Sequence, residues 1–256
     1  MTFENIQIEK ENQISIITID RPKQMNALNL ATIKELHQAL IEVRRDEEVR
    51  CVIIAGSGEK AFVAGADIKE FKGFSISEGS KMSANGQELL FNLLENFNRP
   101  VIAAINGFAL GGGLELAMAC HIRVASHNAK MGLPETSLGV IPGYGGTQRL
   151  ARLIGHGRAI ELITTAGMID ADRAFDIGLV NHTATSVDLL DFCKELAGKI
   201  ARNSPNAVSS AIRSVNAGFS GKDGYAVEIE EFGKCFGTEE FVEGTNAFLE
   251  KRKPNF

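Results

Sequence analysis

The stretch NGFALGGGLELAMAC, residues 106–120, decides how this sequence is interpreted. Three consecutive glycines, at 111–113, separate the apolar run VIAAI (101–105) from a segment with the composition of a helix. Glu115 is the only charged residue in the stretch. Bare backbone followed by one carboxylate in an apolar helix indicates either close packing of the chain or a chemical site.

The composition of the whole chain is that of a globular protein. Its 256 residues are 44% hydrophobic and 23% charged, which predicts one large domain. The net charge of -5 argues against a nucleic-acid partner, because phosphate binding normally requires a basic face. The sequence has no run of roughly 18 apolar residues, so no membrane span is predicted. The N-terminus lacks the basic start and apolar core of a signal peptide, so we expect a cytoplasmic protein.

The cysteines and histidines do not form a recognisable metal or disulfide pattern. The four cysteines lie far apart without a CxxC pair, and we interpret them as small buried core residues. The five histidines are also scattered, and neither HExxH nor HxH is present. No metal site is therefore predicted.

The hydrophobic pattern predicts alternating strands and helices, followed by a helical C-terminal part. Asn29 is predicted to cap a helix whose apolar residues have helical spacing, and residues 72–86, rich in Gly and Ser, predict an exposed mobile loop or a frayed helix. From about residue 145 the pattern is helical to the end, so we divide the chain into a core, 1–195, and a helical region, 196–256, of one globular unit. The predicted strands are 14–19, 51–56, 101–105 and 121–126.

A short repeat connects the glycine stretch to an earlier segment. AFVAGADI (61–68) matches GFALGGGL (107–114), with Ala66 aligned to Gly112. Each copy is predicted to follow a buried strand and to lead into a helix, whose first N–H groups have no partner within the helix. Two such starts would direct two N–H donors at one oxygen, as in an oxyanion hole. The alternative is that the glycines only allow a helix to pack closely on a strand.

Two isolated carboxylates accompany this candidate oxyanion hole. Glu115 falls in the first turn of the predicted helix, where it is also explained as a partner of the helix dipole at a solvated edge. Glu135 follows Pro134, and taken alone it is explained as a cap of the short helix ETSLG. Taken together, the two carboxylates indicate general acid–base chemistry. Walker, Rossmann and GxSxG motifs are absent, which argues against nucleotide binding and a serine nucleophile.

Four longer segments of the sequence resemble a known family. AFVAGADIKEF, NGFALGGGLELAMACHIRVAS, GLPETSLGVIPGYGGTQRLARLIG and FLEKRKPNF follow the order and spacing of the enoyl-CoA hydratase (crotonase) family over nearly the whole chain. The resemblance implies an α/β fold, the ClpP/crotonase-like spiral of ββα units with a helical C-terminal trimerisation region, and a homotrimer or a homohexamer of two trimers. It also implies an acyl-CoA thioester substrate, no cofactor, and reversible hydration of a trans-2-enoyl-CoA to a 3-hydroxyacyl-CoA.

The resemblance further implies a role for individual residues. The N–H groups of Ala66 and Gly112 would hold the thioester oxygen, Glu115 would activate the water added at C3, and Glu135 would protonate C2. Lys251 is equally well explained as a solvated lysine of the KRK run. The residues implied along the bound CoA are Ala64, Ala66, Asp67, Ile68 and Lys69, with Phe248 and Lys251 reaching the adenine from a neighbouring subunit.

Alternatives within the same family stay open. The presence of both glutamates favours hydration over enoyl-CoA isomerisation and over hydrolysis of a branched hydroxyacyl-CoA. Some family members bind RNA, but the acidic net charge argues against that function here. Leu133 stands where many hydratases carry glutamine and Tyr144 where a smaller residue is common, and both bear on chain-length preference. Residues 72–86 are expected to border the acyl pocket.

Overall fold

A computed structural model describes residues 3–256, and within them two β-sheets are surrounded by helices. The strands are β1 (Ile6–Glu11), β2 (Ile14–Ile19), β3 (Cys51–Gly56), β4 (Ala61–Val63), β5 (Val101–Ile105), β6 (Phe108–Leu110), β7 (Ile122–Ser126), β8 (Lys130–Gly132), β9 (Met168–Asp170) and β10 (His182–Ala184). The α-helices are α1 (Leu30–Arg45), α2 (Ile76–Gly86), α3 (Asn92–Glu95), α4 (Gly112–Ala119), α5 (Gly146–Ile154), α6 (His156–Thr164), α7 (Ala171–Asp176), α8 (Leu189–Ala201), α9 (Pro205–Ala217), α10 (Gly224–Cys235) and α11 (Glu239–Leu249).

Three consecutive units of the chain each place one strand in each sheet. Strands β3, β5 and β7 lie in the sheet of order β1-β2-β3-β5-β7-β10, and β4, β6 and β8 lie in the sheet of order β4-β6-β8-β9. The three strands in each set run parallel to one another. Two strands followed by a helix, repeated along the chain, form the spiral of ββα units, so the predicted fold is confirmed.

Strand β3 is apolar throughout because both of its faces are covered. Val52 and Ile54 point into the main core, together with the buried stripe of α1. Cys51 and Ile53 point the other way, into a smaller cluster that contains buried residues of α8. Side chains alternate across a strand, so a strand buried on both faces has no polar position.

The predicted start of helix α1 is confirmed in atomic detail. The Asn29 side chain accepts a hydrogen bond from the backbone N of Thr32 at 2.8 Å, which satisfies one of the free N–H groups of the first turn. The apolar residues Ile33, Leu36, Leu40 and Val43 are buried, whereas Leu30 at the first position is exposed. The cap therefore fixes where the chain leaves the turn after β2 and enters the helix.

Of the two alternatives predicted for residues 72–86, the helix is correct and the loop is not, because Ser75 and Glu78 form a capping box that begins α2 at Ile76. The purely helical pattern after 145 is wrong, because β9 and β10 lie there. Each of these strands has only three residues and pairs at the edge of a sheet, so neither leaves a hydrophobic run long enough to recognise.

The C-terminal helices extend the fold beyond the two sheets. Helix α8 covers the larger sheet and runs across the division at 195/196, which stays a prediction. Helices α9 and α10 are joined by Arg213, whose Nε donates to Glu231 Oε2 at 2.9 Å. Three cysteines are buried as predicted, whereas Cys235 at the end of α10 is half-buried. Across residues 3–256, no helix combines the length and the apolar composition needed to cross a membrane.

Candidate active site

The smaller sheet brings three separate segments to one edge. Val63 of β4 pairs with Ala109 of β6, and Leu110 of β6 pairs with Gly132 of β8, with all three strands parallel. The residues that follow each strand therefore emerge at the same carboxyl edge, where ligands bind in open α/β sheets. This edge holds Ala66, Gly112 and Glu135, while Glu115 lies on the helix that begins there.

The backbone N–H groups of Ala66 and Gly112 lie close together at this edge. A Cβ built on Gly112 would lie 3.5 Å from the backbone N of Ala66. Gly112 is the first residue of α4, so its N–H has no partner within the helix. On either side of Ala66, the backbone N of Leu28 donates to Gly65 O and the backbone N of Asp67 donates to Leu28 O. Within residues 3–256, neither of the two N–H groups donates to another group of the protein.

One predicted detail of this pair is wrong. Ala66 does not begin an α-helix; a single 3-10 turn, Ile68–Glu70, begins two residues later. The strand-like bridge between Leu28 and Ala66 holds the segment extended instead. The N–H of Ala66 is therefore left free by an extended loop, and that of Gly112 by a helix terminus.

Each of the three glycines at 111–113 is explained by a different physical requirement. Gly111 has φ of +50°, and a Cβ there would lie 2.6 Å from Glu135 Oε1. A Cβ on Gly113 would overlap the carbonyl oxygen of Val63. The interpretation of close packing therefore applies to Gly113, Gly111 makes room for Glu135, and Gly112 presents the free N–H.

Glu115 is a fully enclosed carboxylate with an ordered position. Only 1% of its surface is exposed, so the interpretation as a dipole partner at a solvated edge is wrong. Its Oε1 accepts hydrogen bonds from the backbone N of Tyr144 and of Gly146, both at 2.8 Å. Burial raises its pKa to about 7; the two N–H donors oppose this shift, and the nearby Glu135 adds to it. Within residues 3–256, no group donates to Oε2.

Glu135 is the second carboxylate at the edge, and its environment is different. It lies in the 3-10 turn Pro134–Leu138, where its Oε1 faces Gly111. Its Oε2 is buried and has no hydrogen-bond partner in the described part of the chain. Burial raises its pKa, and a hydrogen bond from its own backbone opposes this shift. The Oε1 of Glu115 accepts from two N–H groups, whereas the Oε2 of Glu135 has no donor, so the two carboxyl groups differ in the hydrogen bonds that favour their ionised forms.

Arg149, which was not among the predicted site residues, supports the loop that holds Glu115. Arg149 is 6% exposed, and its guanidinium donates to the Tyr144 carbonyl at 2.8 Å and to Glu95 at 2.7 Å. Its charge also favours the ionised form of Glu115. The sequence does contain a signal that Arg149 is buried, because its helical spacing puts it on the same buried stripe of α5 as Gly146, Leu150 and Ile154. The backbone donors at 144 and 146 leave no comparable pattern in the side chains.

A cavity of about 420 Å³ opens beside Ala66. Residues 74–86 form much of its wall. That this cavity is the acyl pocket, which residues 72–86 are expected to border, stays a prediction. Leu133 is fully buried and does not line it. The lining residues are Leu28, Asn29, Leu30, Ile33, Ala66, Asp67, Glu70, Phe71, Phe74, Glu78, Lys81, Met82, Asn85, Gly86 and Tyr144.

The residues implied along CoA fall into two groups. Ala64, Ala66, Asp67, Ile68 and Lys69 form one continuous loop at the site, where the Asp67 side chain accepts from Lys69 N at 3.3 Å. Phe248 and Lys251 lie at and just beyond the end of α11, both exposed, and do not line the cavity at Ala66 within this chain. Their contact with CoA stays a prediction. Among residues 3–256, no three His, Cys, Asp or Glu side chains form a group that could hold a metal ion.

Comparison with known proteins identifies the family of the chain. The family model for enoyl-CoA hydratase/isomerase matches residues 9–256. The chain is 49% identical to a short-chain-enoyl-CoA hydratase of Clostridium acetobutylicum (99% of this chain, 97% of that protein) and 49% identical to a crotonyl-CoA hydratase of Syntrophomonas wolfei (100% and 99%). A crystal structure of an enoyl-CoA hydratase from Bacillus anthracis superposes with a TM-score of 0.92 at 40% identity, covering 99% of both chains. The chain belongs to the enoyl-CoA hydratase/isomerase family.

Proposed function

We infer that this protein is an enoyl-CoA hydratase, a hydro-lyase that adds water to a trans-2-enoyl-CoA and forms a 3-hydroxyacyl-CoA. The observation that carries this inference is the pair of carboxyl groups, Glu115 and Glu135, beside the two free N–H groups of Ala66 and Gly112. The names of the relatives that are 49% identical support the same reaction, and one of them names crotonyl-CoA.

The two N–H groups form the oxyanion hole in this proposal. The thioester oxygen accepts hydrogen bonds from Ala66 N and Gly112 N, and its negative charge grows as the hydroxyl adds at C3. Donors fixed by the backbone need no reorganisation during the reaction, and losing one of them typically costs about a hundred- to a thousand-fold in rate. The role of Gly112 is then to present its N–H without a side chain in the way.

The two glutamates divide the proton transfers. Glu115 is ionised, and its Oε2 accepts a proton from the attacking water while the hydroxyl bonds to C3. Glu135 is protonated and gives its proton to C2 of the enolate-like intermediate. A hydroxyl and a proton are added to the double bond, which leaves Glu115 protonated by the water and Glu135 ionised. Proton exchange with solvent then restores the starting states of both groups, and the reverse reaction exchanges their roles. Water and the carboxyl groups supply every atom, so this reaction needs no cofactor.

Substrate binding and assembly complete the proposal. The loop of Ala64, Asp67, Ile68 and Lys69 follows the acyl-CoA thioester from the oxyanion hole, and Phe248 and Lys251 reach the adenine from a neighbouring subunit. Large exposed apolar side chains on α10 and α11 support a homotrimer or a hexamer of two trimers, because exposed apolar patches mark interaction surfaces. The most exposed of these are Tyr225, Ile229, Phe232, Phe248 and Leu249. A cytoplasmic location and the absence of nucleic-acid binding stay predictions.

The first test follows the loss of enoyl-thioester absorbance when the purified protein is mixed with crotonyl-CoA. Wild type is expected to remove it rapidly, and Glu115→Gln and Glu135→Gln are each expected to lose about a hundred- to ten-thousand-fold in rate. Wild-type rates in both variants would contradict the assignment. Product mass separates the alternatives, because hydration adds one water, isomerisation adds no mass and hydrolysis releases free CoA.

Two neighbouring glycines are expected to respond differently to an added Cβ. A Cβ at Gly112 makes ordinary contacts, 3.5 Å from Ala66 N and 3.6 Å from Tyr144 Cδ2. Gly112→Ala is therefore expected to fold but to lose about a hundred-fold or more in rate, because the added methyl group lies beside the two N–H groups and crowds an oxygen that accepts from them. Gly113→Ala overlaps the Val63 carbonyl and is expected to fail in folding. Full activity in a folded Gly112→Ala protein would contradict the proposed oxyanion hole.

A further inference from the structure

The side chain of Tyr144 occupies the space between the oxyanion hole and helix α2. Its ring carbon Cδ2 lies 3.6 Å from the position that a Cβ would take on Gly112. On α2, Gly86 contacts the ring so closely that a Cβ there would overlap Cε1 and would lie 2.7 Å from Cδ1. The ring therefore fills the space between Gly112 and helix α2, and Gly86 is the residue that makes room for it.

Phe91 closes the remaining side of the ring. The two rings are stacked, with centroids 4.7 Å apart and an angle of 13° between their planes. Phe91 has no exposed surface and lies within the main core. Tyr144 itself is 5% exposed, and it lines the cavity that Ala66 also lines. An acyl chain that extends from the oxyanion hole towards Phe91 would meet the tyrosine ring first.

We propose that Tyr144 is the wall that sets acyl-chain length in this enzyme, and that it restricts the enzyme to short-chain enoyl-CoA substrates. This inference rests on the proposed function of the same site. Removing the ring while keeping the rest of the residue would extend the cavity of about 420 Å³ as far as Phe91. The wall acts by excluding volume, so the size of the side chain matters and its hydroxyl group does not.

The test compares kcat/KM for crotonyl-CoA with kcat/KM for trans-2-octenoyl-CoA. Wild type is expected to prefer crotonyl-CoA. Each methylene newly accommodated in an apolar pocket is worth about fourfold, so Tyr144→Ala is expected to raise the octenoyl-to-crotonyl ratio by at least about tenfold. Tyr144→Phe keeps the ring and is the matched control, with a ratio expected within about twofold of wild type.

Two outcomes would overturn the proposal. One is an unchanged ratio in Tyr144→Ala, and the other is a shift in Tyr144→Phe as large as that in Tyr144→Ala. If Tyr144→Ala does not fold, Tyr144→Leu fills part of the space left on Phe91 and is expected to move the ratio in the same direction. An unchanged ratio in a folded Tyr144→Leu protein would overturn the proposal as well.

A binding measurement separates failure of this proposal from failure of the proposed function. Calorimetry with the saturated compounds butyryl-CoA and octanoyl-CoA reports the fit of the chain without any chemical step. If wild type does not hydrate crotonyl-CoA, the proposed function fails, yet Tyr144→Ala is still expected to favour octanoyl-CoA relative to wild type by about tenfold. An equal preference in both proteins would overturn the wall itself.

Discussion

Replacing Glu115 by glutamine is expected to stabilise the folded protein while abolishing hydration. Burial raises the pKa of Glu115 from 4.5 to about 7. Each tenfold change in proton affinity corresponds to about 1.4 kcal/mol, so keeping this group ionised in the folded state costs about 3 kcal/mol. Glutamine has no charge to bury, and its amide oxygen accepts the same two N–H groups of Tyr144 and Gly146.

The sign of this effect depends on pH. The pKa in the folded state is higher than in the unfolded state, so the folded protein binds the proton more tightly. Both states are protonated well below pH 4.5, where the variant gains nothing from the missing charge. The gain grows between pH 4.5 and about 7 and is complete above that range. A gain of about 3 kcal/mol corresponds to a rise in Tm of roughly 6–12 °C for a chain of this size.

The assay is urea unfolding followed by circular dichroism, at about pH 4.5 and at about pH 8. Glu88→Gln, at an exposed position in the same protein, is the control and is expected to change the free energy of unfolding by less than about 0.5 kcal/mol. The reasoning is refuted if Glu115→Gln is no more stable than wild type at pH 8. It is equally refuted if the difference is the same at both pH values.

Three further predictions concern the surroundings of Glu115 and the wall of the cavity. In wild type, kcat/KM is expected to fall as the pH is lowered, with a midpoint near pH 7, because Glu115 must be ionised to accept a proton from water. A pH–rate profile with crotonyl-CoA measures this midpoint. Arg149→Met is expected to move that midpoint to higher pH and to lower the rate at pH 7 about tenfold. The variant loses a cation that favours ionised Glu115 and a donor to the Tyr144 carbonyl. Arg149→Lys keeps the positive charge and is expected to move the midpoint less. Ser75→Ala removes the capping box and is expected to destabilise α2 by about 1 kcal/mol, seen as faster amide hydrogen exchange in residues 76–86 and a higher KM.

The main elements of the fold were predictable because their signals are local. The cap at Asn29 and the continuous apolar run of β3 depend on residues close to one another in the sequence. Strand β9 was not predictable, because its three residues pair with β8, more than thirty positions earlier in the chain. The capping box of Ser75 and Glu78 was visible in the sequence but was obscured by the surrounding glycines and serines.

The candidate site was predictable in its residues but not in its arrangement. Glu115 and Glu135 were recognised as isolated carboxylates, and the structure places Glu135 at the carboxyl edge of the smaller sheet and Glu115 on the helix that begins there. The partners that hold Glu115 are backbone N–H groups at 144 and 146, and every non-proline residue carries such a group. No choice of side chain records that role, apart from Gly146, where a Cβ would lie 2.8 Å from Glu115 Oε1.

The hydrogen bond from Tyr144 N to Glu115 Oε1 has a consequence for how this enzyme can diverge. The proposed base, Glu115, is held by the main chain at 144, which every amino acid except proline supplies equally. The proposed acyl wall depends on the side chain at the same position. A descendant gene can therefore acquire a new substrate range by single codon changes at this position, without an inactive ancestor between the two forms. Proline is the one replacement that would remove the donor to the base.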